Sequence, residues 1–278
     1  MKSLKHHWQD KGYIIVRSVL ERDRAEQLRP ICDDILDQWR SCSAETGEPG
    51  GGPEATVMRH LNHPGYFKEH PEWFSALMNA VADEKVIGVA KTLFEEEPLF
   101  RCTSYFFNPL ENSRDGNWHR DTQFRTDSDE EEKEKIFDCP VVGNGIQMQV
   151  ALAPSDDVEF VPGSHIRWDT PQEYQIRKAD GEENNKSNNM PGAIRIALES
   201  GDAVLFNACG LHRGRYHTDK VRRTLMLTYT RSSYHVDDYF SQQPWFLNDV
   251  NLDSLNPQVK EFFQRFVDEY SADWKKTS

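Results

Sequence analysis

Residues 203–230 read AVLFNACGLHRGRYHTDKVRRTLMLTYT. Two β-prone runs, AVLFNA and RTLMLTYT, flank a polar stretch, with His212 just past the first and Arg223 at the start of the second. Arg213-Gly214 after His212 reads as a turn. Along the second run, period-two alternation sets Arg223 with Leu225, Leu227 and Tyr229 on one face. Arg222, Thr224, Thr228 and Thr230 fall on the other. Arg223 therefore reads as turned inward among apolar residues, and Arg222 as facing solvent. An inward guanidinium is costly unless paired, and its planar fork suits a carboxylate, so a bound acid is one candidate partner and a core Asp or Glu another.

Working outward, similar short runs precede this pair: LFRCTSYFF (99–107), GIQMQVALA (145–153), VEFV (158–161) and AIRIAL (193–198), separated by Gly, Pro, Asn and Asp. Ser200-Gly201-Asp202 reads as a hairpin turn. The first hundred residues differ in character. A strand is expected at Tyr13-Ile14-Ile15-Val16, then a helix with Leu28, Ile31, Ile35 and Trp39 on one face, starting or bending near Pro30. Residues 43–53 read as a loop, and 71–94 as two helices beginning at Pro71 and Asp83. Val259, Phe262, Phe263, Phe266, Val267 and Tyr270 mark one face of a closing helix. Many short strands after a helical start imply a mainly β fold with flanking helices, a sandwich or closed barrel with the helices packed outside. No repeat or long linker divides the chain, so residues 1–278 are expected to form one domain: a helical part at about 20–95, a β core at about 99–231 and a helix at about 255–275. Two polar stretches, 127–135 and 178–192, are solvated surface or mobile loops over a site.

Composition narrows the function classes. The apolar and charged fractions, 37% and 28%, are those of a soluble globular protein, and no run approaches the ~20 apolar residues of a membrane span. The start lacks the features of a secretory signal, so a cytoplasmic location is expected. Five Cys (32, 42, 102, 139 and 209) form no CxxC pair, against a disulfide framework or zinc-thiolate site, and Cys102 and Cys209 read as small core residues. The net charge of −13 argues against nucleic acid or an anionic membrane as partner. A small-molecule substrate remains, and an anionic one needs only a local cationic pocket. Arg213, Arg215, His217, Lys220 and Arg222 form a basic cluster that could meet such a group or be solvated on a loop.

The chain holds three His-x-Asp pairs: His119/Asp121, His217/Asp219 and His235/Asp237. In an extended segment the two side chains share a face and can converge on one ion. A second, distant His would complete a 2-His-1-carboxylate set with open positions for oxygen and a chelating cosubstrate. His235/Asp237 has no later His, and His217/Asp219 has only His235. His119/Asp121 has His165, His212, His217 and His235 downstream, of which His212 is the best placed.

With these features in order, the sequence resembles the phytanoyl-CoA dioxygenase family of Fe(II)/2-oxoglutarate oxygenases. KGYIIVRSVL (11–20) looks like the family's opening strand and turn, and WHRDTQF (118–124) like its His-x-Asp segment. FVPGSH (160–165) is similar to its Pro-Gly-Ser-His turn, and GDAVLFNACGLHRG followed by VRRTL to its distal His and cosubstrate Arg. The resemblance implies a double-stranded β-helix (jelly-roll, cupin-like) core and the cofactors Fe(II), 2-oxoglutarate and O2. It implies His119, Asp121 and His212 as catalytic metal ligands and Arg223 as the residue holding the far carboxylate of 2-oxoglutarate. Gln149 could approach the cosubstrate, and Tyr105 is a further candidate; for Gln147 and Gln149 the alternative is a solvated strand face. His165 belongs to the turn motif and is not assigned to the metal. The sequence departs from the family in having Arg120 between the ligands, where Gln is frequent, and Gly214 where Ser is frequent. The implied reaction is hydroxylation of an unactivated C–H bond in a small molecule, a natural-product or metabolic intermediate, with release of succinate and CO2. A cupin-like metal-dependent hydrolase or isomerase, and a non-catalytic binding module on the same fold, are the competing readings.

Overall fold

The computed structural model describes residues 2–41, 51–139 and 143–277. The expected loop at 43–53 falls mostly outside the described residues. The chain runs α1 (Lys2–Lys11), β1 (Tyr13–Val16), α2 (Arg22–Arg40), β2 (Val57–Arg59), α3 (Pro71–Val81), α4 (Glu84–Phe94) and β3 (Pro98–Phe107). It continues β4 (Arg114–Asp115), α5 (Asp129–Asp138), β5 (Gly145–Ala151), β6 (Ser155–Phe160), α6 (Pro171–Arg177) and β7 (Ile194–Leu198). β8 (Ala203–Phe206), β9 (His212–Tyr216), β10 (Arg223–Arg231) and α7 (Pro257–Thr277) complete it. A six-stranded sheet has the order β1-β8-β5-β10-β3-β2, a four-stranded one β4-β9-β6-β7, and every strand pairing is antiparallel. Antiparallel sheets with flanking helices are the fold expected from the sequence. Among the described residues no helix is long and apolar enough to cross a membrane.

Most elements stand where the residue pattern places them. Helix α2 begins at Arg22, eight residues before Pro30, and buries Leu28, Ile31, Ile35 and Trp39. Pro71 opens α3, and the Asp83 carboxylate accepts from the Lys85 amide at the start of α4. Two expectations fail. The Ser200-Gly201-Asp202 turn joins β7 to β8, which lie in different sheets, so it is a corner between sheets rather than a hairpin. Arg213-Gly214 is not a turn: it lies inside β9, paired with Glu159 and Val158 of β6. The run HRGRY has little β propensity, and ion pairs from Arg213 and Arg215 to Glu159 hold it to its neighbour.

The large sheet is buried on both faces, for different reasons. On one, Tyr105, Phe107, Ile146, Met148, Val150, Leu225, Leu227 and Tyr229 join the core formed with the helices. Phe100 meets Phe263 and Phe266 of α7 with ring centroids 5.1 and 5.0 Å apart, and the Tyr229 hydroxyl donates to the Val81 carbonyl at 2.6 Å. The other face looks into the space between the two sheets, and it carries Gln147, Gln149, Met226 and Thr228. The apolar stripe of each strand is thus a helix-packing surface, and the polar stripe lines a cavity.

The acidic stretch at 127–135 is largely helix α5, anchored by a buried charge cluster. Arg120 and Arg177 are fully buried and share Asp169, at 2.7 and 2.6 Å. Arg177 also reaches Glu132 of α5 at 2.9 Å, and Lys178 reaches Glu132 at 3.0 Å. Removing one member of such a cluster leaves the others charged without a partner, at a cost of about 3–5 kcal/mol. Arg120→Ala should therefore lower the unfolding free energy by about that amount in urea titration. Arg22→Ala, which breaks the exposed Arg22–Glu26 pair, should leave the midpoint where it is.

Candidate metal centre

His119 and His212 face each other as an antiparallel bridge, each amide donating to the other's carbonyl at 3.1 and 3.0 Å. The Asp121 amide donates to the Ala208 carbonyl at 2.9 Å, which fixes the third residue against the same turn. Asp121 Oδ1 lies 3.7 Å from His119 Nε2 and 3.6 Å from His212 Nε2. Among the described residues this is the one group of three or more His, Cys, Asp or Glu side chains able to hold a metal ion.

Each imidazole is held in the tautomer a metal needs. His119 Nδ1 is 2.7 Å from the Asn117 carbonyl, and His212 Nδ1 is 2.9 Å from that of Gly210. A carbonyl only accepts, so both Nδ1 atoms donate and both Nε2 lone pairs point at the shared centre. Burial, with His119 adding to it, pushes His212 down to about 4, so it is neutral at ordinary pH. Gln147 Nε2 donates to Asp121 Oδ2 at 2.5 Å, leaving Oδ1 toward the histidines. Two imidazoles with their Nε2 atoms toward one centre and one oriented carboxylate fit a divalent first-row metal.

Behind the ligands, the Pro-Gly-Ser-His turn acts as a brace. The Ser164 hydroxyl accepts from the Leu211 amide, next to His212, at 2.8 Å and donates to the Val161 carbonyl at 2.6 Å. Arg120, between the two upstream ligands, donates to the carbonyls of Ser164 (2.7 Å) and Cys209 (2.5 Å). Arg120 thus ties the His119–Asp121 segment to the turn before His212. His165 is buried in the same turn and lies apart from the ligand group. Cys209 is not a strand residue; it lines the cavity in the turn before β9, with its Sγ 3.5 Å from that of Cys139.

The histidines of the other two His-x-Asp pairs contact other carboxylates, away from this centre. His217 bonds Asp115 at 3.0 Å, and His235 contacts Glu269 at 2.6 Å and Asp273 at 3.2 Å. Most of the basic cluster likewise has a carboxylate partner: Glu159 for Arg213 and Arg215, Asp115 for His217 and Asp156 for Lys220. Arg222 is the exception.

A cavity of about 1070 Å³ opens over His119, Asp121 and His212, and Gln147, Gln149, Met226, Thr228 and Arg222 line it. The two arginines that open β10 are inverted relative to the sequence reading. Arg222 is 1% exposed inside the cavity, with its guanidinium over the Tyr216 ring at 4.4 Å and the Phe106 ring at 5.0 Å. It donates to the Arg215 carbonyl at 2.9 Å and to Gln149 Oε1 at 3.4 Å, and its Nε has no partner. No carboxylate among the described residues pairs with it. Arg223 lies on the helix side, bound to Asp33 at 2.5 Å and Asn108 at 3.1 Å. Tyr105 sits there too, its hydroxyl donating to Asp33 at 3.0 Å, so neither Arg223 nor Tyr105 lines the cavity. The sequence reading took the apolar face as the interior, whereas in this fold that face meets helices. Gln149 does enter the cavity, 5% exposed, and Gln147 was missed as the residue that orients Asp121.

The phytanoyl-CoA dioxygenase family model matches residues 8–224. Among curated proteins, none matches the sequence. Solved structures with this fold include EctD from S. alaskensis with 2-oxoglutarate and 5-hydroxyectoine, at 18% identity and TM-score 0.59, covering 90% of this chain and 84% of that one. The non-heme alpha ketoglutarate dependent carbocyclase SnoK from nogalamycin biosynthesis is 16% identical at TM-score 0.57, with 84% of each chain covered. The epimerase SnoN, in complex with Fe3+, alpha ketoglutarate and nogalamycin RO, is 17% identical at TM-score 0.52, with 83% of each covered. With the family model spanning most of its length, the chain belongs to the phytanoyl-CoA dioxygenase family, whose members use Fe(II), 2-oxoglutarate and O2.

Proposed function

We propose that the protein hydroxylates an unactivated C–H bond of a small molecule, using iron held by His119, Asp121 and His212. Arg222, rather than Arg223, receives the far carboxylate of 2-oxoglutarate. The observation that carries this reading is the buried Arg222 guanidinium, which faces the cavity beside His119, Asp121 and His212 with an unpartnered Nε and no carboxylate partner among the described residues. A buried cation without a counter-ion is costly, and a dicarboxylate would relieve that cost. A hydrolase or isomerase on the same metal face leaves Arg222 unpaired.

The bound iron and cosubstrate supply the oxidising power, and the chain's share is placement and exclusion of water. Tyr216 and Phe106 hold the Arg222 guanidinium in place, so that little side-chain freedom is lost when a carboxylate docks. Gln149, beside Arg222, presents an amide to the same ligand. Gln147 keeps Asp121 turned toward the two histidines. The apolar walls, Phe106, Val158, Phe206 and Met226, keep the reacting region dry.

Without oxygen, Fe(II) and 2-oxoglutarate should give a weak visible charge-transfer band that a chelator or His212→Ala removes. An undiminished band in His212→Ala would refute the ligand set. Arg222→Gln should weaken 2-oxoglutarate binding by about 2–5 kcal/mol, whereas Arg223→Gln should leave it near wild type; the reverse ranking would restore Arg223. Gln147→Ala should lower iron affinity by about 10–100-fold, read by competition with a coloured chelator.

A further inference from the structure

A second arginine in the cavity has no carboxylate partner among the described residues. Arg59 ends β2, opposite Ser104 of β3, while its neighbour Met58 turns into the helix-side core. That alternation sends Arg59 and Val57 toward the cavity, and both line it. The Arg59 guanidinium lies over the Phe240 ring at 5.4 Å and the Phe106 ring at 5.8 Å. Its Nη1 is buried and has no hydrogen-bond partner.

The other cavity cations are satisfied in different ways. Arg101 and Arg125 share Asp238, Arg213 has Glu159, and Lys135 is exposed to water. Arg222 is assigned above to the cosubstrate. Arg59 is then left over, and it stands against Phe106, the same ring that Arg222 touches. Carboxylates also line the cavity, but Glu131, Glu134 and Asp138 are exposed on α5, where solvent screens them.

We propose that Arg59 anchors the substrate itself, and that the substrate is an organic acid with a carboxylate at one end of an apolar or aromatic body. The carboxylate takes the two-pronged hydrogen bonds of the Arg59 fork. The body lies along Phe106 and Phe240 and reaches toward Phe124, whose ring centroid is 5.5 Å from that of His119. The volume of the cavity is ample for such a molecule beside 2-oxoglutarate. This assignment rests on the reading of Arg222 given above.

The test compares acids with their neutral amides on the anaerobic protein loaded with Fe(II) and saturating 2-oxoglutarate, so that Arg222 is already engaged. The probes are hydrocinnamate and hydrocinnamamide, and octanoate and octanamide, followed by calorimetry. The acids should bind about tenfold or more tightly than the amides. Arg59→Gln should erase the difference, and Arg59→Lys should restore part of it, with the charge-transfer band intact in both variants. Equal affinity for acid and amide, no binding of the acids at millimolar concentration, or an undiminished preference in Arg59→Gln would each overturn the proposal. Loss of the band in Arg59→Gln alone would do so as well, by making Arg59 the cosubstrate's anchor. Absence of the band in the wild type counts against the oxygenase reading, while the acid–amide difference reports on Arg59 only.

Discussion

The site depends on two backbone hydrogen bonds, those exchanged by His119 and His212. They join residues far apart in sequence into one antiparallel bridge, and so place two imidazoles with ring centroids 4.3 Å apart before any metal arrives. Backbone pairing is well suited to this task, because it fixes the side-chain roots without using side-chain hydrogen-bonding capacity. The side-chain atoms are then free for other duties: Nδ1 bonds a carbonyl, and Nε2 stays available to a metal. Arg120 and Ser164 reinforce the bridge from behind, one through carbonyls and the other through the Leu211 amide. A buried cation placed between two ligands is tolerable because Asp169 neutralises it and also ties it to Arg177.

The second constraint is the two-sidedness of the large sheet. Helices cover one face and a ligand cavity covers the other, so both are removed from bulk water. Only the first needs apolar residues, and the second needs hydrogen-bonding groups that a ligand can use. This explains how Arg222 can be almost wholly buried with an unpartnered Nε, and why Thr and Gln recur on strands that look solvent-facing. It also explains why Arg223 lies on the helix side. Alternation separated the two faces of β10 correctly, but nothing in the alternation says which of two buried faces lines the cavity.

Much of the fold was legible because its core strands and helices are strongly patterned. Leu28, Ile31, Ile35 and Trp39 define α2 even across Pro30, and the phenylalanines of α7 could belong to little else. β9 was missed because its stability is electrostatic and tertiary: Arg213 and Arg215 find Glu159 on β6, a partner that local sequence cannot reveal. The corner at Gly201 was misread for a similar reason, since a tight turn looks the same whether its strands pair or part. In the site, His119, Asp121 and His212 could be singled out because the chemistry demands a pair plus a distant third. Gln147 and Arg59 carry no such signature, and the Pro-Gly-Ser-His motif marks Ser164 without saying what it holds. Their roles appear only when the sheet brings Asp121, Leu211 and Phe106 beside them.

The solved structures of this fold include a carbocyclase and an epimerase, so the fold does not select the reaction. On the reading proposed above, His119, Asp121, His212 and Arg222 would hold the metal and the cosubstrate, and none of them touches the bond to be attacked. That choice falls to whatever fixes the substrate's far end. A single anchored carboxylate sets a distance from Arg59 to the iron ligands, and a body lying on Phe106 and Phe240 sets a direction. Together they bring a narrow stretch of the molecule within reach, and a shift of about 1 Å in that register is enough to change the rate by orders of magnitude. The unpaired arginine on β2 is therefore where selectivity would be altered, whereas changes at the metal face would affect every substrate alike.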